Sequence, residues 1–385
     1  MRIGIDARFL THPQRGGFKT YTENLITALA RVDPENEYIL YLDRPPCQDT
    51  RLPDCPNFTS RIVPGQTPVV GMPWREQVKL ARLVVRDQLD LLHAPNLTAP
   101  LRLACPLVVT IHDMIWLFPE KFSKGKSWSA QRKLMEWYYR LVPQFAARRA
   151  SLILTVSQAA KESIIQYLGL TADQVFVTHE AASHIFRRID STQQIETIRR
   201  KYELNAEFIL AIGSADPRKN IATLVQAYAL LPASLRERYK LVIVWTHHFL
   251  ATELAEQVEK LGLTQQVQFL RQVSNEDLVL LYNAASLFVF PSLYEGFGLP
   301  LLEAMACGAP VVAANNSSIP EIVGEAALLV EAKDAQAMAN MMVRVLADEV
   351  VKTDLTQKGF ERAASFSWEK CARQTLAGYK QALLG

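Results

Sequence analysis

The sequence predicts an α/β protein built from two parallel-sheet domains, and three observations carry that expectation. Twelve short apolar runs alternate with polar stretches of helical period, as strands covered on both faces by crossover helices do. The chain has 385 residues, more than the ~250–300 over which one hydrophobic core keeps growing. A charged and polar segment, residues 184–204, holds few strand formers and separates six of the runs from the other six.

In the first half the predicted strands are Ile3–Ala7, Tyr38–Leu42, Leu91–His93, Leu107–Ile111, Leu152–Val156 and Val175–Thr178. In the second half they are Phe208–Ile212, Leu241–Trp245, Val267–Leu270, Leu287–Phe290, Val311–Ala313 and Ala327–Val330. Each is short and nearly continuous in apolar character, which suits a strand buried on both faces. The first strand leads through Gly16-Gly17 to a helix beginning near Lys19. The strand at Leu287 leads through Gly296-Phe297-Gly298 to a helix start that holds Pro300, where a missing N–H has no partner to lose. Near the end, Ser367 is positioned to cap a helix with apolar residues at Cys371, Leu376, Tyr379 and Leu383. The expected division is 1–185, 186–365 and a terminal helix within 366–385.

Composition narrows the function. Hydrophobic residues make up 49% of the chain, enough for real cores and against disorder. A net charge of +3 gives no footprint for nucleic acid. Cysteines stand at 47, 55, 105, 307 and 371 with no C-x-x-C. Reduced thiols of a cytoplasmic protein are therefore expected, with neither a zinc site nor a disulfide framework. Met1 to Leu10 is interrupted by Arg2, Asp6 and Arg8, a strand pattern and not a signal peptide. No run approaches the ~20 apolar residues that span a bilayer.

The densest chemical signal is Pro291 to Glu303. Two carboxylates, Glu295 and Glu303, stand eight positions apart across the glycine turn. Glycines let the backbone approach a ligand closely. Free N–H groups at the helix start, on Leu299 and its neighbours, favour an anion such as a phosphate. Glu303, one turn in, can accept hydrogen bonds from sugar hydroxyls. Arg218 and Lys219 follow the strand end Ile212-Gly213-Ser214, where adjacent cations can clamp a diphosphate. The leaving group of a sugar nucleotide gains charge as its bond breaks, so fixed cations there stabilise the transition state more than the ground state. Each feature alone has a plainer reading. The basic pair is then a solvated helix start, and Glu303 a helix-terminus acid worth ~0.3–1 kcal/mol. Glu295 becomes a solvated loop acid, and Gly16-Gly17 a turn. Glycosidases also use two carboxylates, but a hydrolase needs no diphosphate clamp.

The segment from Pro291 to Glu303 resembles the E-x7-E signature of the retaining family-4 glycosyltransferases, which have the GT-B fold. The likeness continues through residues 304–312 and 318–324, the basic stretch 216–220, the start 4–8 with Arg15-Gly16-Gly17, and residues 110–113, in the family's order. The resemblance implies two Rossmann-like domains facing a central cleft. The second would bind the nucleotide sugar, the first the acceptor, and the last helix would cross back onto the first. It implies that Glu303 grips the ribose and Glu295 the donor sugar, while main-chain groups of Gly296, Phe297, Gly298 and Leu299 meet the phosphates. Lys219 and Arg218 would clamp the diphosphate. His112 would lie beside the sugar and support its developing positive charge. Gly16, Gly17 and Ser214 complete the donor set, with the base read by main chain around Arg271 to Val273. Many members carry an arginine where this chain has Ser214. Either Arg218 supplies that second cation, or the site relies on Lys219 and backbone dipoles.

By the same resemblance the reaction is retaining transfer of a hexose from a UDP-sugar (favoured) or a GDP-sugar to a saccharide or lipid-linked saccharide, in polysaccharide biosynthesis. In the family's front-face mechanism the departing phosphate takes the acceptor proton, which would explain why no general base stands out. There is no D-x-D, and His12, His93, His179, His184, His247 and His248 show no metal spacing, so neither metal nor other cofactor is expected. The alternative is a non-catalytic nucleotide-sugar-binding protein on the same fold; an epimerase or phosphorylase fits the motifs less well.

Residues 121–149 carry one further signal. Lys121, Lys124, Lys126, Arg132, Lys133, Arg140, Arg148 and Arg149 oppose only Glu136, with Trp128, Trp137, Tyr138, Tyr139 and Phe145 interleaved. Leu134, Tyr138, Leu141 and Phe145 keep helical spacing, and Pro143 is expected to kink or restart the helix. Two readings stand level. One is a helix on anionic lipid, which would suit a lipid-linked acceptor and the inner face of the cytoplasmic membrane. The other is a core-facing helix with a basic outer side.

Overall fold

The computed structural model describes residues 1–12, 16–47, 50–65, 67, 70–117, 130–246 and 252–384. The chain divides into two compact units, one running to Glu180 and resuming at Ser367, the other spanning Ala181–Phe366. Each is a parallel sheet with helices packed on it.

The first sheet contains β1 (Arg2–Ile5), β2 (Glu37–Leu42), β3 (Phe58–Ile62), β4 (Leu91–Ala94), β5 (Leu107–Thr110), β6 (Leu152–Thr155) and β7 (Val175–Val177) in the order β3-β2-β1-β4-β5-β6-β7. The second contains β8 (Glu207–Gly213), β9 (Tyr239–Trp245), β10 (Val267–Arg271), β11 (Leu287–Phe290), β12 (Val311–Ala314) and β13 (Ala327–Val330) in the order β10-β9-β8-β11-β12-β13. All pairings are parallel, for example Ile3 beside Tyr38 and Leu91, and Phe288 beside Val311. Strand order reverses between β1 and β4 in one sheet and between β8 and β11 in the other. Connections leave to opposite faces there, opening a crevice at the carboxyl ends of the strands.

The twelve expected strands are present with ends shifted by no more than two residues. β3 is additional. Its sequence, Phe-Thr-Ser-Arg-Ile, is exposed after the first residue, because an edge strand needs one buried face at most. Main-chain pairing with β2 and the Tyr38–Phe58 stack, with ring centroids 4.4 Å apart, hold it. The central strands bury completely. Leu107, Val108 and Val109 are inaccessible, as are Leu287, Phe288, Val289 and Phe290.

Among the helices that border the strand ends or cover the first sheet are α1 (Gly17–Val32), α2 (Ala130–Arg149), α3 (Leu299–Ala306) and α4 (Trp368–Leu384). α2 shows that the helix does not restart at Pro143. It runs through Pro143 without a break, and the Gln144 side-chain amide donates to the Arg140 carbonyl at 3.0 Å beside the proline. Among its described side chains Val142, Pro143, Ala146 and Ala147 are buried, whereas Leu141 and Phe145 are exposed. These two line an apolar groove of about 690 Å³ together with Val70, Trp74 and Trp137. Residues 121–129 of the basic segment, and the side chain of Leu134, lie outside the described residues.

α4 packs on α1 and β6 within the first unit. Ser367 Oγ accepts from Lys370 N at 3.1 Å, the expected cap. Of the apolar positions read from the sequence, Cys371 and Tyr379 lie on the buried face and Leu383 does not. Trp368, Cys371, Ala372, Thr375, Gly378, Tyr379 and Ala382 are buried, while Leu383 is exposed. Small residues win because the helix lies close to the sheet: a Cβ on Gly378 would stand 3.0 Å from both Leu152 and Leu154. All five cysteines are free thiols. No helix among the described residues is long and apolar enough to cross a membrane.

Candidate active site

The strand reversal of the second sheet gathers most of the residues singled out in the sequence. β8 ends at Gly213, where a Cβ would come within 2.8 Å of Ile221, so the chain turns close against the next helix. Asp216 caps the short turn Pro217–Lys219 by accepting from Arg218 N at 2.9 Å. Asn220 adopts a left-handed conformation, φ 54°. Its side-chain amide donates to the carbonyls of Pro291 (3.0 Å) and Ala332 (2.7 Å). Leu293 N donates to Arg218 O at 2.7 Å. The loops after β8 and β11 are thereby tied together, although 71 residues separate Asn220 from Pro291.

Across this tie, Lys219 Nζ donates to Glu295 Oε1 at 2.6 Å, with the two side chains 22% and 13% exposed. Lys219 also lies 5.5 Å from the centre of the Phe290 ring. Arg218 turns differently, engaging Asp216 Oδ2 at 2.6 Å. Of the two alternatives for the second cation, the one through Arg218 begins from a guanidinium already joined to a carboxylate. The Glu295 loop is braced from behind. Ser317 Oγ accepts from Glu295 N at 3.0 Å, and the buried Ser318 hydroxyl donates to the carbonyls of Glu295 (3.0 Å) and Phe297 (2.8 Å). Gly298, at φ +107°, turns the chain into α3, a conformation side chains rarely adopt. Glu303 lies one turn into α3 and accepts from the Tyr282 hydroxyl at 3.2 Å. Ser214 stands at the β8 end of this crevice. Val273 follows β10, two strands away in the order.

The first unit brings Gly16, Gly17 and His112 together. Gly16 caps α1 and Gly17 begins it; a Cβ on either would meet nothing within 4 Å. Phe18 and Tyr21, on the first turns of α1, present ring edges to His112 at centroid distances of 5.1 and 4.6 Å. His112 follows β5, and its Nδ1 meets Glu180 Oε1 at 3.1 Å. Its Nε2 is buried without a partner among the described residues. A carboxylate on Nδ1 favours the N–H there and leaves a lone pair on Nε2. Sequence reasoning gave Glu180 no role. It lies 68 residues from His112, and no local pattern connects the two. Among the described residues no group of three or more His, Cys, Asp or Glu side chains could hold a metal ion.

The family model Glycosyl transferases group 1 matches residues 194–362, and Glycosyltransferase Family 4 matches residues 15–181. O-antigen chain mannosyltransferase B of Escherichia coli is 37% identical over 299 residues, which is 77% of this chain and 76% of that protein. The serotype-specific mannosyltransferase WbdA of Escherichia coli is 35% identical over 72% of this chain, and the match spans only 33% of WbdA. Among solved structures, sucrose-phosphate synthase from Thermosynechococcus elongatus superposes with a TM-score of 0.74 over 99% of this chain and 98% of that one, at 22% identity. The chain belongs to the family-4 glycosyltransferases and has their GT-B fold.

Proposed function

We propose that the protein transfers a mannosyl residue from a nucleoside diphosphate mannose to a hydroxyl of a growing saccharide, in polysaccharide biosynthesis, with retention and without a metal ion. The carrying observation is the Lys219–Glu295 pair at the strand reversal, tied in place by Asn220 and Ser318. The mannosyl choice is supported by the names of the two bacterial relatives. UDP and GDP are both carried forward as the nucleotide.

In this reading the diphosphate takes the Lys219 ammonium, freeing Glu295 to accept from hydroxyls of the sugar. Glu303 accepts from the ribose, and Gly296 to Leu299 offer N–H groups to the phosphates. The bond from the anomeric carbon to the diphosphate breaks, and its electron pair leaves with the phosphate oxygen. The acceptor oxygen bonds the same face of that carbon, and its proton passes to the departing phosphate. His112, oriented by Glu180, supports the positive charge on the sugar. The test is nucleoside diphosphate release from a panel of UDP- and GDP-hexoses, with chelator present and acceptor supplied, followed by NMR of the product's anomeric centre. Acceptor-dependent release from a mannose donor with a retained centre is expected. Binding without release would instead identify a nucleotide-sugar-binding protein.

The acceptor is proposed to be lipid-linked. Exposed Trp137, Leu141 and Phe145 flank the apolar groove, with exposed Arg140, Arg148 and Arg149 on the same helix. A basic amphipathic surface of this kind suits anionic lipid. The full chain should float with acidic liposomes at low salt and sink with neutral ones; sinking with both overturns this point.

A further inference from the structure

Between β12 and the short helix Ile319–Val323 the chain makes a tight turn, Asn316–Ile319, closed by Ile319 N donating to Asn316 O at 3.1 Å. Its first central residue, Ser317, has φ +48°, and its second, Ser318, has φ −78° and ψ −13°. Positive φ at the first central position alone is the type II′ pattern, which glycine, asparagine and aspartate dominate. Serine carries a Cβ that crowds the main chain in such a conformation. A residue stays in a strained region of this kind only where its surroundings over-determine it.

The surroundings here are the loop that carries Glu295. Ser317 Oγ accepts from Glu295 N at 3.0 Å and donates to Asn316 Oδ1 at 3.3 Å, and Asn316 Nδ2 donates to Ser292 O at 3.2 Å. The next hydroxyl, Ser318 Oγ, donates to Glu295 O at 3.0 Å. Both main-chain polar groups of Glu295 are therefore held by successive serines, 22 and 23 residues further along the chain. A solvated loop acid needs no such hold. The strain falls on the serine that grips the Glu295 N–H. Glycine would relieve that strain and lose the grip. All of these groups belong to the second unit. The Glu295 carboxylate is also held from its far end, by Lys219 Nζ at 2.6 Å. If a diphosphate takes Lys219, that hold is lost, and the main chain alone sets where the carboxylate points.

We infer that Ser317 is a positioning residue for the donor sugar: its strained backbone places a hydroxyl on the Glu295 N–H and so fixes the direction in which the Glu295 carboxylate meets the sugar once Lys219 has turned to the diphosphate. The inference rests on the transferase reading, but its test does not require turnover. Calorimetry on the full chain compares GDP-mannose with GDP and UDP-glucose with UDP, for the wild type, Ser317→Ala and Ser317→Gly, beside the thermal midpoint of each protein. Ser317→Ala removes the hydroxyl and keeps the Cβ; Ser317→Gly removes both. Both variants should bind the free diphosphates as the wild type does, and should lose about tenfold of the affinity that the sugar adds, as loss of one hydrogen bond gives. The midpoint should fall in Ser317→Ala and stand higher in Ser317→Gly than in Ser317→Ala, because glycine takes a positive φ without strain. Equal losses at the sugar with unequal stabilities support the assignment, since a serine of purely structural value would make affinity follow stability. Wild-type sugar affinity in Ser317→Gly, a sugar affinity that tracks the midpoint, or a wild type to whose binding the sugar adds nothing overturns it. A sugar-dependent affinity that both variants lose, without nucleoside diphosphate release when acceptor is supplied, would sink the transferase reading and leave Ser317 in its role.

Discussion

The two sheets reverse strand order at equivalent places and put different kinds of ion pair there. After β8 and β11, Lys219 and Glu295 meet with 22% and 13% of their side chains exposed. Beside β1 and β4, Asp6, Arg8, Arg75 and Glu76 are between 0 and 6% exposed. Burial alone raises the Asp6 carboxyl, but the Arg75 and Arg8 guanidiniums outweigh it and hold it below the ordinary range. A partly exposed pair contributes little, about 0–1 kcal/mol, so in the proposed function a phosphate would take Lys219 from Glu295 at small cost. A sealed cluster cannot exchange partners, because a bare charge would remain in a low dielectric. On that proposal one topology provides an exchangeable pair in one unit and a fixed strut in the other.

The largest test of that contrast is Arg75→Met. It strips Asp6 and the Val63 carbonyl of their 2.8 Å donors, and should destabilise the first unit by about 3–5 kcal/mol, read by amide exchange in β1 and β4. Lys219→Ala should do the reverse. Exchange in the second unit should change by no more than about 1 kcal/mol, while kcat/KM falls by the equivalent of about 2.7–4 kcal/mol, with Glu295→Ala close behind. If Lys219→Ala unfolds its unit as readily as Arg75→Met unfolds the other, the contrast is lost.

Sequence range decides how much of this was legible beforehand. Parallel strands are apolar along their whole length, so β8 and β11 could be read from Phe208 and Leu287 onward. β3 could not, because its polar residues are specified by pairing and not by burial. The glycine turn, Pro300 and both glutamates were legible because their chemistry lies within one short segment. The partners were not. Glu180 reaches His112, Glu76 reaches Arg8, and Ser318 reaches the Glu295 carbonyl across gaps of 68, 68 and 23 residues. The buried face of α4 was legible at Cys371 and Tyr379 but not at Gly378, where closeness to β6 leaves no room for a side chain.

A smaller effect separates the units by pH. His93 is fully buried, with Nδ1 against the Tyr379 hydroxyl at 2.7 Å and Nε2 against Thr110 Oγ1 at 2.8 Å. Burial, with a lesser contribution from His112, pushes its pKa down from 6.5 to about 3. The unfolded chain then binds a proton that the folded one refuses. Stability from this residue is complete above pH 6.5 and falls as pH drops toward 3, by at most about 1.4 kcal/mol per pH unit. Exchange protection in β4 and α4 should decline between pH 7 and 5, and His93→Gln should flatten the slope. An unchanged slope in that variant would remove His93 as the cause.

The smallest effect asks whether the exchangeable pair depends on a neutral brace. The Ser318 hydroxyl is buried and shares its single proton between the carbonyls of Glu295 and Phe297. Ser318→Ala leaves two carbonyls short of a donor while keeping the fold's volume, so a stability loss of about 1 kcal/mol is expected. The same loop carries Glu295 and leads into the turn proposed to meet the phosphates, so the donor's KM should rise and kcat/KM should fall by about tenfold, the equivalent of ~1.4 kcal/mol. If KM for the donor stays fixed while stability drops, the loop holds its shape without Ser318, and the positioning comes from Ser317, Asn220 and the Leu293–Arg218 main-chain bond.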